Sequence, residues 1–585
     1  MAHTNPDSEA SGDYRARSVW PQPLAMAVTA LAAGLPADLT GWPSWAPDEF
    51  QLADLELLLS GAFKPLTGFM CDADAAAVAR HGSLADGTPF PFPVTLDMPA
   101  DALPADAGML VLKDAEGAPL AMLEITERVQ AGPGEPVSIA GPVHALREPE
   151  HGPFRQLRRA PAQTRAQLHA ELGAPAALQQ PGQAPCAAAP QPRNLVLACL
   201  TRAPLHRREL GQLRHLSDGM RARLLLMPLV AGPAELVMRP EALVRAVLAG
   251  LPQLPADTLV VPVPLAARGQ DGARAEILAR ALVAAAYGAT HLFAPRLVTA
   301  DATAQVMPLT GAAARDVGNT DATIASMAGS LIPLVMPGEW AFDLVAEVWR
   351  PAVRIEPPAR RGELSLADLT GLLERGDEIP DWFTPAPVAR ELRAALPSRR
   401  ERGLVLFFTG LSGAGKSTVA RDVADALAER GGRTVSLLDG DQVRRLLSAG
   451  LTFSRADRDL NIARIGFVAA EIARHGGVAI CAPIAPYAAA RAQVREMVSQ
   501  TGDFLLVHVA TPLQACEARD RKGLYAKARA GSISGFTGIS DPYEEPTDAD
   551  LVMDTSVLTR KEAVNAVLNL LAAGGWLRPR EGESR

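Results

Sequence analysis

The sequence predicts a multidomain α/β protein, on three observations. First, the chain has 585 residues, and a single hydrophobic core stops growing beyond roughly 250–300. Second, buried-strand patterns alternate with helical patterns, the signature of parallel sheets flanked by helices. Third, Gly410-Leu-Ser-Gly-Ala-Gly415-Lys416-Ser417 fits G-x-x-x-x-G-K-[ST] between a strand pattern and a helix pattern.

Composition narrows the class. Lys+Arg 57 against Asp+Glu 65 gives a net charge of −8, so no global basic field invites nucleic acid or an anionic membrane. Hydrophobic content of 48% with 21% charged residues is that of a globular protein. Cys71, Cys186, Cys199, Cys481 and Cys516 are scattered without C-x-x-C. This suits reduced thiols in a cytoplasmic enzyme, not a disulfide framework or zinc site. Residues 1–20 are polar and lack the apolar stretch of a signal peptide, so a disordered tail is expected. No apolar run reaches spanning length without proline or charge, so no transmembrane helix is expected.

Taken in order, residues 52–59 have helical spacing and stop at Ser60-Gly61. Residues 91–96, 108–112 and 119–125 read as short strands separated by Asp/Gly turns, suiting a small β-barrel. The Ala-, Pro- and Gln-rich stretch 173–193 reads as a linker or surface insertion. Residues 194–200, the leucine-rich run from Arg223, 258–263 and 289–293 read as strands, and 273–287 as a helix. Ligands of such sheets sit at the carboxyl ends of strands, which places Thr201–Glu209 at a candidate site. Helical periodicity returns at 364–373 and 388–396 around a break at Asp381-Trp-Phe-Thr-Pro. The charged stretch 397–403 marks the last domain boundary.

Residues 404–408 then read as a buried strand and 418–430 as a helix, with Val419, Val423, Ala426 and Leu427 on one face. Glycines let successive N–H groups converge on phosphate oxygens, and the helix N-terminus adds partial positive charge. Lys416 is expected to reach the β- and γ-phosphates of ATP, and the Ser417 hydroxyl to ligate Mg²⁺. Asp439 and Asp441 end a further strand; a carboxylate there can orient Mg²⁺ or accept the proton of an attacking hydroxyl. Arg444, Arg458 and Arg464 are cations suited to an anionic substrate. Phe453 and Phe536 lie in glycine- and serine-containing loops, where an aromatic is less often core.

Two resemblances follow. Residues 57–70 (Leu-Leu-Leu-Ser-Gly-Ala-Phe-Lys-Pro-Leu-Thr-Gly-Phe-Met), Gly141-Pro-Val-His, 154–165, Tyr287-Gly-Ala-Thr-His291 and Gly376-Asp-Glu-Ile-Pro-Asp-Trp-Phe383 resemble ATP sulfurylase over about 20–395. The resemblance implies a PUA-like β-barrel followed by a Rossmann-like nucleotidyltransferase domain. The family's nucleotide site carries Q-[TN]-R-N-P-x-H-x-x-H, and this chain has Leu200-Thr201-Arg202-Ala203-Pro204-Leu205-His206-Arg207-Arg208-Glu209. Arg202 and His206 match; the glutamine, asparagine and second histidine do not. Glu209 stands where the second histidine would be, with a charge that repels phosphate. The family's G-R-D-H-A loop reads Pro295-Arg296-Leu297-Val298-Thr299, leaving only Arg296. The expectation is a vestigial site of Arg202, His206 and Arg296 with weak or absent activity. Taken alone, His206 reads as a solvent-facing loop histidine and His291 as a packing histidine.

Residues 403–570 resemble adenylylsulfate kinase, a P-loop NTPase fold. The matches are Leu438-Asp439-Gly440-Asp441-Gln442-Val-Arg444, the stretch from Phe453 through Asp457-Arg458, Asn461 and Arg464, then Ile484-Ala485-Pro486-Tyr487, 516–529 and 535–544. The resemblance implies ATP contacts from Gly410, Ser412, Gly413, Ala414, Gly415, Lys416, Ser417, Thr418 and Arg519. For adenosine 5′-phosphosulfate it implies Asp439, Gly440, Asp441, Gln442, Arg444, Phe453, Arg458, Asn461, Arg464, Ile484, Ala485, Lys522, Gly535 and Phe536, the two phenylalanines sandwiching adenine. Lys416, Asp439 and Asp441 are the implied catalytic residues, with Ser417 and Asp439 on Mg²⁺. Lys522, Lys527 and Arg529 are expected to bring charge on a lid hinged at Gly523, Gly531 and Gly535. Ala485 replaces the family's serine, so no phosphoserine can form there.

The expected order is therefore a tail (1–20), a PUA-like domain (21–170), a nucleotidyltransferase domain (190–345), a small helical segment (346–400) and a P-loop kinase (401–585). The expected activity is phosphorylation of adenylylsulfate, with ATP and Mg²⁺, in a cytoplasmic homo-oligomer. A bifunctional enzyme, and a non-catalytic scaffold or regulator role for the first part, stand as alternatives.

Overall fold

The computed structural model describes residues 39, 41–114, 116–130, 132, 135–147, 153–171, 195–232, 238–268, 272–294, 331–452, 454–533 and 535–577, with backbone alone at 171, 272–274, 441 and 442. The expected tail 1–20, the linker 173–193, Arg296 and Phe453 lie outside the described residues. Two compact units emerge. One holds residues up to Leu364 with Pro380–Ala395; the other holds Ser365–Ile379 with Leu396 onward.

The first unit begins with a seven-stranded sheet centred on Val137–Ala145, which pairs with Gly68–Phe69, Leu96–Met98, Pro119–Glu124 and Glu127–Gln130, all antiparallel. Gly141 sits at that crossing with φ 145°; a Cβ there would lie 1.8 Å from the Glu124 carbonyl oxygen, so only glycine fits. Helix Glu49–Ser60 covers the sheet. Asp48 and Gln51 cap its start reciprocally, and Gly61 ends it in the left-handed region.

A parallel sheet follows, in the order Leu259–Val260, Ala222–Ala231, Leu195–Thr201, His291–Phe293, Leu334–Val335. Ala222–Ala231 is buried over most of its length because helices cover both faces of such sheets. The segment expected as one helical piece is divided. Val348–Pro351 joins an antiparallel sheet with Trp340–Asp343 and Arg360–Arg361. Helix Ala386–Ala395 packs on Pro240–Gly250 in the first unit, whereas Leu366–Arg375 belongs to the second. Periodicity reports that a helix has an apolar face, not which core receives it.

The second unit is a five-stranded parallel sheet: β1 (Leu404–Thr409), β2 (Val435–Leu438), β3 (Val478–Cys481), β4 (Asp503–Val509) and β5 (Leu551–Met553), ordered β2-β3-β1-β4-β5. Its helices are α1 (Lys416–Arg430), α2 (Gly440–Leu446), α3 (Arg455–Arg474), α4 (Ala488–Ser499), α5 (Leu513–Arg519), α6 (Leu524–Arg529) and α7 (Arg560–Ala573). α1 and α7 pack on one face, α3 and α4 on the other. The phosphate loop joins β1 to α1, and α3 starts at the same carboxyl edge of the sheet, where ligands of parallel sheets bind.

Candidate active site

The phosphate loop is formed by backbone that L-residues avoid. Gly410, Gly413 and Gly415 have φ of 146°, 76° and 96°. A Cβ at Gly410 would lie 2.4 Å from the Val509 carbonyl oxygen, and one at Gly413 3.0 Å from that of Cys516. Lys416 opens α1 and is buried; its Nζ donates to the carbonyls of Gly410 (2.9 Å) and Leu411 (2.7 Å). Ala414 is anchored through its carbonyl, which accepts from Thr511 Oγ1 (3.1 Å) and Thr555 Oγ1 (2.7 Å). Ser417 is exposed and Thr418 half-buried on the first turn of α1. Arg519 Nη1 donates to Thr555 Oγ1 (2.9 Å) and Gly413 O (3.3 Å), so it braces the loop from outside. Tyr525 Oη donates to Ser412 O at 2.8 Å.

Burial pulls the Lys416 ammonium down to about 8, with Lys522 adding to the fall and Cys516 opposing it. A bound triphosphate favours the charged form and raises that value. Below pH 7 the lysine is charged in both states; above about 8, ATP binding must take up a proton, so affinity weakens as pH rises. Calorimetry at pH 8.5 in two buffers of different ionisation enthalpy should show uptake of roughly 0.7 proton per ATP, and none in Lys416→Met.

On the acceptor side, Asp439 follows β2 and lies 3.4 Å from Arg421 Nη2. β3 separates its strand from β1. Gly440 starts α2, which also carries Arg444 and the backbone of Asp441 and Gln442. Among the described residues no group of three or more His, Cys, Asp or Glu could hold a metal. Ser417 and Asp439 offer one hydroxyl and one carboxylate, the donor types that suit a Mg²⁺ held chiefly by substrate phosphates and water.

Arg458, Asn461 and Arg464 recur every three residues along α3. Asn461 is 5% exposed, yet its Oδ1 has no hydrogen-bond partner, a costly state unless a ligand fills it. Arg464 Nη1 donates to Leu447 O at 3.0 Å. Arg458 is not the free cation suggested by sequence: it is buried and binds Asp541 Oδ2 (2.6 Å), Thr537 Oγ1 (3.0 Å) and the Gly535 carbonyl. Ile484 O accepts from Thr409 Oγ1 at 2.7 Å. Ala485 is buried at φ 47°, a left-handed conformation costing an L-residue about 1–2 kcal/mol. It is held there through its carbonyl by Arg491 Nη1 (2.8 Å) and Thr409 Oγ1 (3.2 Å).

The Phe536 ring meets Tyr525 edge-on, centroids 5.0 Å apart at 78°. Gly523, Gly531 and Gly535 have φ of 63°, 73° and 65°; Lys522, just before Gly523, and Lys527, between Gly523 and Gly531, are exposed. Arg529, expected as a phosphate cation, instead pairs with Glu517 at 2.9 and 3.1 Å. Tyr525, Thr555, Asp541 and Arg491 went unassigned in the sequence; Tyr525 and Asp541 stand inside matched segments, the one signal that could have flagged them.

The sulfurylase-like site is built differently from expectation. Arg202 follows Leu195–Thr201 and is buried, with Nη1 on Ala231 O (2.8 Å), Nη2 on Leu265 O (2.9 Å) and Nε on Glu276 Oε1 (3.2 Å). Its guanidinium ties three strand ends together. His206 is no solvent-facing residue: its ring stacks on Phe383 (4.3 Å, 24°) and Nδ1 meets Thr384 Oγ1 at 2.8 Å. Burial lowers its pKa, against Glu209, which leaves a neutral ring near pH 7. Glu209 does not present its charge to a phosphate. Its carboxylate caps the backbone N–H of His206 (3.1 Å) and pairs with Arg208. Burial pushes that carboxyl up, but Arg208 and His206 outweigh it and hold it below the usual range. His291 meets Thr290 Oγ1 at 3.0 Å on its strand, as a packing histidine does.

Comparison with known proteins decides the family. Residues 402–554 match the Adenylylsulphate kinase model, 155–395 the ATP-sulfurylase model and 26–151 a PUA-like domain model. The sulfate adenylyltransferase of Phaeosphaeria nodorum is 34% identical over 92% of this chain and 94% of its own. The chain belongs to the sulfate adenylyltransferase family. It carries an adenylylsulphate kinase domain C-terminal to an ATP-sulfurylase domain. A second sulfate adenylyltransferase, from Yarrowia lipolytica, is 34% identical over 90% of this chain and 93% of its own. A solved structure, described as a hexameric APS kinase from Thiobacillus denitrificans, is 34% identical with TM-score 0.71, covering 92% of this chain and 94% of that one. No helix among the described residues is long and apolar enough to cross a membrane.

Proposed function

We propose that this family member phosphorylates the 3′-hydroxyl of adenosine 5′-phosphosulfate with ATP, giving 3′-phosphoadenylylsulfate and ADP. The carrying observation is the complete phosphate loop, with buried Lys416 held on loop carbonyls. At the same edge of the sheet, α3 offers the unpartnered Asn461 Oδ1. Lys416 and the α1 N-terminus bind and orient the transferred phosphoryl group. Asp439, or Asp441 as the family resemblance implies, receives the hydroxyl proton as the new oxygen–phosphorus bond forms and the bond to the ADP oxygen breaks. Mg²⁺, when bound at Ser417 and Asp439, would neutralise charge between the phosphates. Phe536 supplies an aromatic face for adenine, and the Lys522–Lys527 lid excludes water.

We read the sulfurylase region as weak or inactive in adenylyl transfer, because Arg202 is occupied by protein acceptors and His206 is neutral and stacked. A second reading, a bifunctional enzyme, draws support from the relatives named sulfate adenylyltransferase. The hexameric neighbour supports self-association, and the four described unpaired cysteines suit the cytoplasm.

One assay separates these readings. The purified chain should form ADP with ATP plus adenylylsulfate, and release no pyrophosphate above blank with ATP plus sulfate. Pyrophosphate release lost in His206→Ala would establish the bifunctional reading. Preference for another hydroxyl acceptor would overturn the kinase assignment.

A further inference from the structure

The loop that carries Phe536 is compact and closes on itself. The Phe536 carbonyl accepts from the N–H groups of Ile539 (3.0 Å), Ser540 (3.0 Å) and Asp541 (3.2 Å), and Ser540 Oγ accepts from the Phe536 N–H (2.9 Å). Such a unit moves as one piece, so whatever fastens it sets where the ring stands. Its strongest fastening is Asp541. One carboxylate oxygen, Oδ2, accepts from Arg458 Nη1 at 2.6 Å and from Tyr487 Oη at 2.8 Å. Those partners come from separate elements. Arg458 is on α3, three residues before Asn461, and Tyr487 is the residue that precedes α4 and follows the Ile484–Ala485 turn. Arg458 also holds the loop through Thr537 Oγ1 and the Gly535 carbonyl. A charge-assisted bond at these distances, with Arg458 8% exposed, is of the strong kind.

We infer that Asp541 is a positioning residue for the acceptor nucleotide. It fixes the Phe536 face relative to the Asn461 carboxamide and the Ile484–Ala485 turn by joining α3, the turn and the loop through one carboxylate. The inference rests on the proposed adenylylsulfate reading of this site. The Asp541 carboxylate is engaged by Arg458 and Tyr487, both outside Gly410–Ser417, so its loss acts on the acceptor nucleotide more than on ATP. Without the carboxylate the loop keeps its internal hydrogen bonds and the Arg458 contacts to Thr537 and Gly535 but loses its link to Tyr487 and its charge pair with Arg458, so more of the ordering of the aromatic face must come from substrate binding itself.

The test is steady-state kinetics of Asp541→Asn in the full chain, which keeps shape and an acceptor for Tyr487 while removing the charge that holds Arg458. The expected result is a KM for adenylylsulfate raised about tenfold or more, with KM for ATP within about twofold of the parent. Tyr487→Phe should give a smaller shift in the same direction. Asp541→Asn and Arg458→Lys together should be less than additive. Hydrogen exchange of 535–541 in the free protein should rise in Asp541→Asn. Equal loss in both KM values, or a fall in thermal stability with KM for adenylylsulfate unchanged, would overturn the inference. If the parent chain does not phosphorylate adenylylsulfate, the functional reading falls, and unchanged exchange at 535–541 would then sink the tether by itself.

Discussion

Lys416→Ala lowers kcat/KM for adenylylsulfate phosphorylation by about 10³-fold or more, on the scale seen when one charge-stabilising donor is removed from a preorganised site. Lys416 is 6% exposed at the start of α1, with its ammonium on the Gly410 and Leu411 carbonyls. That position is set by the loop and not by a rotating surface chain, so water cannot substitute for it. The cation and the α1 N-terminus act on the same phosphates, and phosphoryl transfer draws nearly all its acceleration from such placement and charge. Lys416→Met keeps the aliphatic stem in the buried channel and should lose as much activity while keeping the fold, as read by circular dichroism. Activity within tenfold of the parent in either variant would remove Lys416 from the mechanism.

Arg202→Ala destabilises the first unit by about 3–5 kcal/mol, the range for removing one partner from a buried, hydrogen-bonded charge site. Two carbonyls, Ala231 O and Leu265 O, lose their donor in a region where water does not replace it. Glu276 retains Arg280 at 2.9 Å, which limits the cost on that side. Urea denaturation followed by tryptophan fluorescence reports this unit chiefly, since Trp42, Trp45, Trp340, Trp349 and Trp382 lie in it and Trp576 in the other. Adenylylsulfate phosphorylation at 20 °C should be retained. A variant of unchanged stability would return Arg202 to the role of a ligand-facing cation.

These two residues show what a linear reading can and cannot reach. The phosphate loop was legible because its parts are contiguous: glycines that alone accept positive φ, a lysine at the first helical position, and flanking elements whose periodicity declares them. In the first parallel sheet the strands at 195–201, 222–231, 259–260 and 291–293 were legible as apolar runs, with ends displaced by a few residues, and in the second those at 404–409 and 435–438; Val478–Cys481, Asp503–Val509 and Leu551–Met553 were not singled out. The helix Leu366–Arg375 was recognised by its spacing, yet its assignment to the second unit was not, because periodicity carries no address.

Charged residues were the weak point. A sequence presents each arginine as a free cation, and the nearest motif supplies its role. Arg202 finds its acceptors 29, 63 and 74 positions away, and Arg458 meets Asp541 across 83. Glu209 was read as a repulsive charge, but its neighbour Arg208 and the helix start absorb it. The sequence by itself determined the phosphate loop, its flanking strand and helix, and the order of the family segments, since each depends on local backbone preference or contiguous residues. Only the tertiary structure decided which guanidinium groups are engaged by protein, because a buried charge must find its partners wherever the fold brings them.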